Sequence, residues 1–382
     1  MLISTRVLPV FISFLVSNYI VLYLSNIREA QNFVLKSINT PFTKFYLLFI
    51  FINSISGVFN GISVNWMLWK NFEMLTGVLW FVSFHSLYFY VKFDDIVEKI
   101  GFILLLFFIS ICTYEVYFLL KTYSYTELLF VVRPEIELPK INPIKLSIFA
   151  AYIAIYSSLK CKRKNFIWLF LSFFGLLLIL MAKSRTGFIV VVLFFLYEQF
   201  ISNNKIVFRV LLCSSIFMVS SFIFSQYLID FATIMRINDF DVLLNGGGRL
   251  KSMDSGGTSS WGESLKLISN HITMGIGNIN TKRFLDTKIY SVDNFILQNL
   301  IAGGLVGGGL LSFWAFFVFP LGFWRYFKKH KEKYKKNKIR LANMILIIFF
   351  VKSFSTNGAS FFGIEFLFLG ISYAIFNKVK IQ

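Results

Sequence analysis

Apolar residues in this chain come in long, nearly unbroken blocks, not in helix-period stripes or strand-like alternation. The blocks run approximately 7–24, 44–62, 74–91, 99–120, 144–159, 166–182, 186–201, 207–229, 294–325, 341–357 and 360–377. Each is close to the roughly 20 residues one helix needs to cross a bilayer. The pattern therefore predicts an all-α, polytopic integral membrane protein with roughly 10–12 spans, a single membrane domain over 1–382. The block from Asn294 to Phe327 is too long for one upright helix. It reads as a short surface helix followed by a span, with a kink at Pro320. One long polar interruption, Phe231 to Tyr290, stands out as a large loop.

Composition agrees with lipid as the solvent: 57% of residues are hydrophobic and only 15% charged, against about a quarter charged in a soluble domain. The net charge of +19 would point to nucleic acid in a soluble protein. Here the cations sit in short segments between apolar blocks, which is the positive-inside pattern, so no nucleic-acid partner is expected. Lys160 to Lys164, Lys328 to Arg340 and Lys378 to Lys380 then face the cytoplasm. Lys121–Pro143, Lys183–Gly187, Phe231–Tyr290 and Thr356–Ser360 face outward, as does the N-terminus. The first block lacks a small-residue cleavage site and reads as a span, not a removed leader. Cys112, Cys161 and Cys213 are odd in number and lie in or beside apolar blocks, so free thiols are expected.

The loop carries glycines at Gly246–Gly248 and Gly256–Gly257, then a helix-like stretch, Ser260 to His271, with Trp261, Leu265 and Ile268 on one face. A loop this long is either functional or disordered, and its mixed apolar and charged content argues against disorder.

Several residues have chemistry to offer, each with a plain alternative. Arg185, in the turn Lys183-Ser184-Arg185-Thr186-Gly187, suits a phosphate as a bidentate cation, or simply snorkels to the headgroups. Gly247-Gly248-Arg249-Leu250-Lys251 combines close backbone approach with two cations, or is a flexible turn. Asp293, before Asn294, suits a general base toward a hydroxyl, or a helix N-cap. Gly303, Gly304, Gly307, Gly308 and Gly309 read as close helix packing. Asp239 and Asp241 form a D-x-D that reads as solvated loop. Lys352 and Glu365, on adjacent spans, are expected to pair. His85, His271 and His330 have no second ligand nearby, so no metal site and no cofactor are expected.

The order of these motifs resembles the O-antigen polymerase and ligase superfamily. Met181-Ala182-Lys183-Ser184-Arg185-Thr186-Gly187 is similar to its Ser-Arg-Thr/Gly turn, and the large loop follows two spans later. Gly248-Arg249, then Trp261-Gly262-Glu263-Ser264-Leu265-Lys266-Leu267-Ile268, then Met274-Gly275-Ile276-Gly277-Asn278 resembles its Arg, Trp and Gly-x-Gly series. Asp293-Asn294-Phe295-Ile296-Leu297-Gln298 and Gly303-Gly304-Leu305-Val306-Gly307 resemble its loop-end segment. The likeness covers roughly Met181 to Leu311. Two departures stand out: Asp293 occupies the place where ligases usually carry His, and Arg249 and Trp261 lie further apart than is usual.

The resemblance implies a GT-C-type fold with one large periplasmic loop, in the bacterial inner membrane, acting on undecaprenyl-diphosphate-linked glycans. The missing His favours the polymerase over the ligase that joins polymer to lipid A-core. A repeat-unit flippase is the alternative from another class, with short loops expected of it. The expected roles are Arg185 and Arg249 on the departing diphosphate, Asp293 on the acceptor hydroxyl, and Lys251, Arg283, Asn294 and Trp261 in substrate binding. The resemblance also implies a chain-length-regulating partner.

Overall fold

A computed structural model describes residues 4–90, 94–122, 143–161, 166–182, 185–202, 265, 267–277, 295–334, 336–355 and 364–381. Among these the structure is helical, with no strand. Three helices are long and apolar enough to cross a membrane: Pro41–Phe59, Glu98–Phe118 and Leu305–Lys329. The described part of the chain is thus all-helical, and its apolar helices make it a membrane-associated protein. By contact it divides into two compact units, 1–93 with 248–326 and 352–382, and 94–247 with 327–351.

The first unit is built around α4 (Val64–Tyr90), against which α1 (Ser4–Asn26), α2 (Arg28–Ile38), α3 (Pro41–Phe59) and the C-terminal helix Ile364–Ile381 pack. Sequence dictates where α3 begins and ends. Pro41 opens it with φ preset, and Thr40 Oγ1 accepts from the Thr43 N–H at 3.4 Å as the N-cap. Gly61, at φ 69°, turns the chain out, while the Gly61 and Ile62 N–H groups return to Val58 and Gly57 carbonyls. The short helix α2 is not among the apolar blocks, because only Ala30, Val34 and Ser37 of its eleven residues are buried.

Several polar groups inside this unit pair across helices. Ser37 Oγ of α2 lies 2.7 Å from His85 Nδ1 of α4, and the Ser86 hydroxyl lies 2.7 Å from the same Ser37 oxygen. His85 Nε2 lies 3.4 Å from Asn377 Nδ2. His85 is therefore a helix-to-helix tie, stacked on Phe81 and Tyr373.

The second unit contains α5 (Asp94–Thr122), α6 (Pro143–Lys160), α7 (Phe166–Met181), α8 (Arg185–Ser202) and most of the helix Asn337–Ser355, up to Val351. α6 and α7 approach closely because small residues face each other. A Cβ on Gly175 would lie 2.6 Å from the Ala154 nitrogen, and Ala150, Ala151 and Ala154 are buried. Lys160 pairs with Glu98 at 2.8 Å. Cys112 is buried and Cys161 half-buried, both as free thiols; Cys213 lies outside the described residues.

The basic stretch 328–340 is not uniformly free charge. Arg340 reaches back to Glu198 at the end of α8, with Nε at 3.0 Å from Oε2 and 3.1 Å from Oε1. The Tyr334 hydroxyl donates to the same carboxylate at 2.6 Å and accepts from Asn343 Nδ2 at 3.0 Å. Burial, and then the Glu198 charge, raises the Tyr334 phenol well above its usual range.

Candidate functional site

The long block after the polar loop is two helices, not one. α9 (Phe295–Gly303) ends at Gly304, and α10 (Leu305–Lys329) follows at once. Gly304 sits at φ 59°, in the left-handed region that a side chain would strain. α9 then doubles back along the first turns of α10. The Asn299 carbonyl packs directly on Gly308, and Asn299 Nδ2 donates to Ser312 Oγ at 3.1 Å. Only glycine at 308 permits this contact. The first turn of α10, Leu305–Gly309, is wound as a π-helix.

The break between the two helices lies at Gly304, upstream of the expected kink at Pro320. There the helix continues, and a second π-turn, Trp314–Val318, immediately precedes the proline. Proline removes the N–H that would bond four residues back, and a π-turn is one way a helix absorbs that loss.

A helix break strands carbonyls at one end and N–H groups at the other. Here the segment 272–277 of the polar loop supplies partners for both. The Ile276 and Gly277 N–H groups donate to the Ile301 and Ala302 carbonyls at 2.8 and 3.0 Å. The Leu305 and Val306 N–H groups donate to the Ile272 and Thr273 carbonyls at 2.8 and 3.2 Å. The Ser56 hydroxyl of α3 donates to the Gly275 carbonyl. Gly275 is at φ 70°, and a Cβ there would lie 2.6 Å from the Gly304 nitrogen. A Cβ on Gly277 would lie 2.6 Å from the Gly57 Cα of α3. The segment is thus clamped between α3 and the hairpin, with Leu267, Ile276 and Ile301 as a small apolar core and Ile268 and Leu297 against it.

That core revises the face expected for the preceding helix-like stretch. The described turn, 267–270, buries Leu267 and leaves Ile268 half-buried, and Leu265 before it is 40% exposed. Trp261 lies outside the described residues.

In the second unit, Arg185 opens α8, four residues after Met181 closes α7. The two residues after it are buried, and the Gly187 backbone lies directly on the Ser147 carbonyl of α6. The glycine of this turn is therefore set by helix contact, and α6 fixes where α8 begins. The side chain of Arg185 lies outside the described residues.

Of the other residues singled out in the sequence, Arg249, Lys251, Arg283, Asp293 and Asn294 also lie outside the described residues. Asp293 and Asn294 immediately precede α9 in the chain. The side chain of Glu365, the expected partner of Lys352, falls outside as well. What the structure does bring together is the Gly-x-Gly segment 275–277 and the glycine run 303–309. Sequence reasoning missed their reciprocal capping, and missed Ser56 and Gly57 on α3. The only signal for the latter was the periodic placement of Ser56 and Gly57 below Phe49 and Asn53 in an otherwise apolar helix.

No family model matches this sequence, and no curated protein matches it.

Proposed function

We propose that this chain is a glycosyltransferase of the O-antigen polymerase type, a multi-pass protein of the bacterial inner membrane with its large loop in the periplasm. It moves a growing glycan from one undecaprenyl diphosphate to a hydroxyl of a second lipid-linked repeat unit. The acceptor oxygen bonds to the anomeric carbon, the bond from that carbon to the diphosphate oxygen breaks, and the diphosphate leaves with the electron pair. The hydroxyl proton passes to Asp293. Arg185 and Arg249 stabilise the charge that grows on the leaving group, the largest kind of contribution such a site makes. Lys251, Arg283, Asn294 and Trp261 hold the substrates. A chain-length regulator is the expected protein partner.

The observation that carries this reading is the interrupted helix at Gly304, closed by the Gly275–Gly277 segment of the polar loop. Irregular backbone within a membrane helix is tolerated where it is buried in protein or lines a substrate cavity, and broken helices serve substrate sites. The glycines that make this junction are those through which the sequence resembles the superfamily, and Asp293 and Asn294 directly precede its first helix.

Gene deletion tests the reading. Loss of a polymerase leaves lipopolysaccharide capped with a single repeat unit. Loss of a ligase or of a flippase leaves none on the core. A deletion strain with normal long chains rejects the polymerase.

A further inference from the structure

One face of α10 changes character along its length. Phe317, Leu321, Arg325 and Lys328 recur on it at helical spacing, and all four are exposed. Phe317 and Leu321 suit acyl chains, and the last turn carries Lys328 and Lys329. Because Leu305–Lys329 is long and apolar enough to cross a membrane, its closing cations stand at the depth of the lipid phosphates.

The chain does not then run off into water. The short helix Lys331–Tyr334 is docked by Tyr334, which is 0% exposed. The Tyr334 ring meets Phe327 at 5.9 Å and Tyr197 of α8 at 5.6 Å, and its hydroxyl donates to Glu198 at 2.6 Å. Arg340 grips the same carboxylate from the first turn of the helix Asn337–Ser355. The turn between these helices is held against the end of α8, so its lysines are presented from a fixed frame.

The stretch 328–340 holds eight Lys and Arg but one acid, Glu332, so most of its charge must be met from elsewhere. Glu198 offsets Arg340. Lys328, Lys329, Lys331 and Lys336 are exposed, and among the described residues none of the four pairs with a carboxylate. Lys336 also directly precedes a helix with no acid in its first turn, where the helix dipole disfavours a cation. Like charges held this densely repel one another, and an anion from outside relieves them.

We propose that Lys328, Lys329, Lys331 and Lys336 form a binding surface for the phosphates of anionic phospholipids in the membrane that α10 enters. Clusters of four or more cations immediately beyond a membrane helix hold acidic headgroups in this way. The surface uses none of the residues of the glycosyl-transfer reading and does not depend on it.

The test uses the purified full-length protein in neutral detergent, read by melting temperature and by native mass spectrometry of retained lipid. The probes are dioleoyl-phosphatidylglycerol and dioleoyl-phosphatidylcholine, which share acyl chains and differ in charge. Wild type is expected to retain phosphatidylglycerol preferentially, to melt higher with it, and to lose the preference at high salt. One lysine at an acidic surface is worth about a fivefold change in affinity. Lys331→Gln with Lys336→Gln is therefore expected to weaken phosphatidylglycerol binding by about tenfold or more. Melting in phosphatidylcholine should not change, because neither ammonium is ion-paired among the described residues. Lys36→Gln with Lys380→Gln removes the same charge from two other exposed positions and is expected to leave the preference in place. Equal losses in the two double variants mean a diffuse field and overturn the surface. So does equal retention of the two lipids by wild type. Protection by inorganic phosphate or by polyglutamate that matches protection by phosphatidylglycerol also overturns it, the latter in favour of an acidic protein partner.

Discussion

Arg340 holds Glu198 through two guanidinium nitrogens, 142 positions apart in the chain, with the carboxylate wholly buried and the arginine 15% exposed. Tyr334 completes the arrangement from the same carboxylate. A buried pair of this kind fixes geometry more than it adds stability, and breaking one half leaves an uncompensated charge. Glu198→Gln is therefore expected to destabilise the protein by about 3–5 kcal/mol. The Glu198→Leu, Arg340→Leu double variant should recover much of the loss. Thermal melting of the detergent-solubilised full chain checks both, and equal melting of wild type and Glu198→Gln would discount the pair.

Tyr334 gives the same lock a pH dependence. Its phenol is held in the neutral form by burial and by the Glu198 charge, so its folded pKa lies above that of the unfolded chain. A group raised in this way contributes stability below the unfolded value of about 10. That contribution is lost as pH climbs from there toward the folded value. Melting temperature should fall with rising alkaline pH, and Tyr334→Phe should flatten that slope while lowering stability at neutral pH.

Glycine substitutions separate the junction from the rest of α10. Gly304→Ala and Gly275→Ala each place a side chain in the left-handed region and against backbone, so the cost is expected at about 1–2 kcal/mol for conformation and 1–3 more for overlap. Gly322, further along α10, has nothing within 4 Å of where its Cβ would lie. Gly322→Ala should be neutral or slightly stabilising by helix propensity. Expression level and melting of the three variants side by side make the comparison, and equal behaviour would remove the special status of the break.

Ser56→Ala deletes the side-chain bond from α3 to the Gly275 carbonyl and leaves that carbonyl short of a donor, at about 1–3 kcal/mol. Hydrogen exchange at 272–277 should accelerate, while the Ser37–His85 region keeps its protection. Uniform acceleration across both regions would mean a global rather than a local effect.

For the proposed reaction, Arg185→Ala and Arg249→Ala should each cost about 10²–10³ in rate, the usual loss for one electrostatic donor. In cells this appears as loss of long chains with the protein still inserted. Wild-type chain length in both variants would remove these two cations from the leaving-group role.

Much of the helical layout was legible because lipid-facing helices need little patterning beyond length. The blocks near 44–62 and 99–120 correspond to α3 and α5 directly. What escaped was carried by main-chain atoms or by distant partners. α2 has only three buried positions and two charges in its first turn, so no apolar run marks it. The glycines at 303–309 read correctly as close packing, but nothing in their spacing says that the chain reverses at Gly304. The pairing of 272–277 with both helix ends is made entirely by N–H and C=O groups, which every residue carries. Nothing in the sequence joins Glu198 to Arg340, 142 positions apart, because the reason for each is the other.

The ties at 272–277 make few demands on side-chain identity. Ile272 and Met274 are 51% and 36% exposed, Ile276 alone is held in the small apolar core, and the glycines are fixed by the approach of neighbouring backbone. Such a joint is indifferent to what is spliced upstream of it. Loop segments of different length and chemistry can be exchanged before Leu267 without disturbing the hairpin, since closing a longer loop adds only about 0.6 kcal/mol per doubling. A scaffold jointed in this way can trade its loop while the helices around the joint stay as they are.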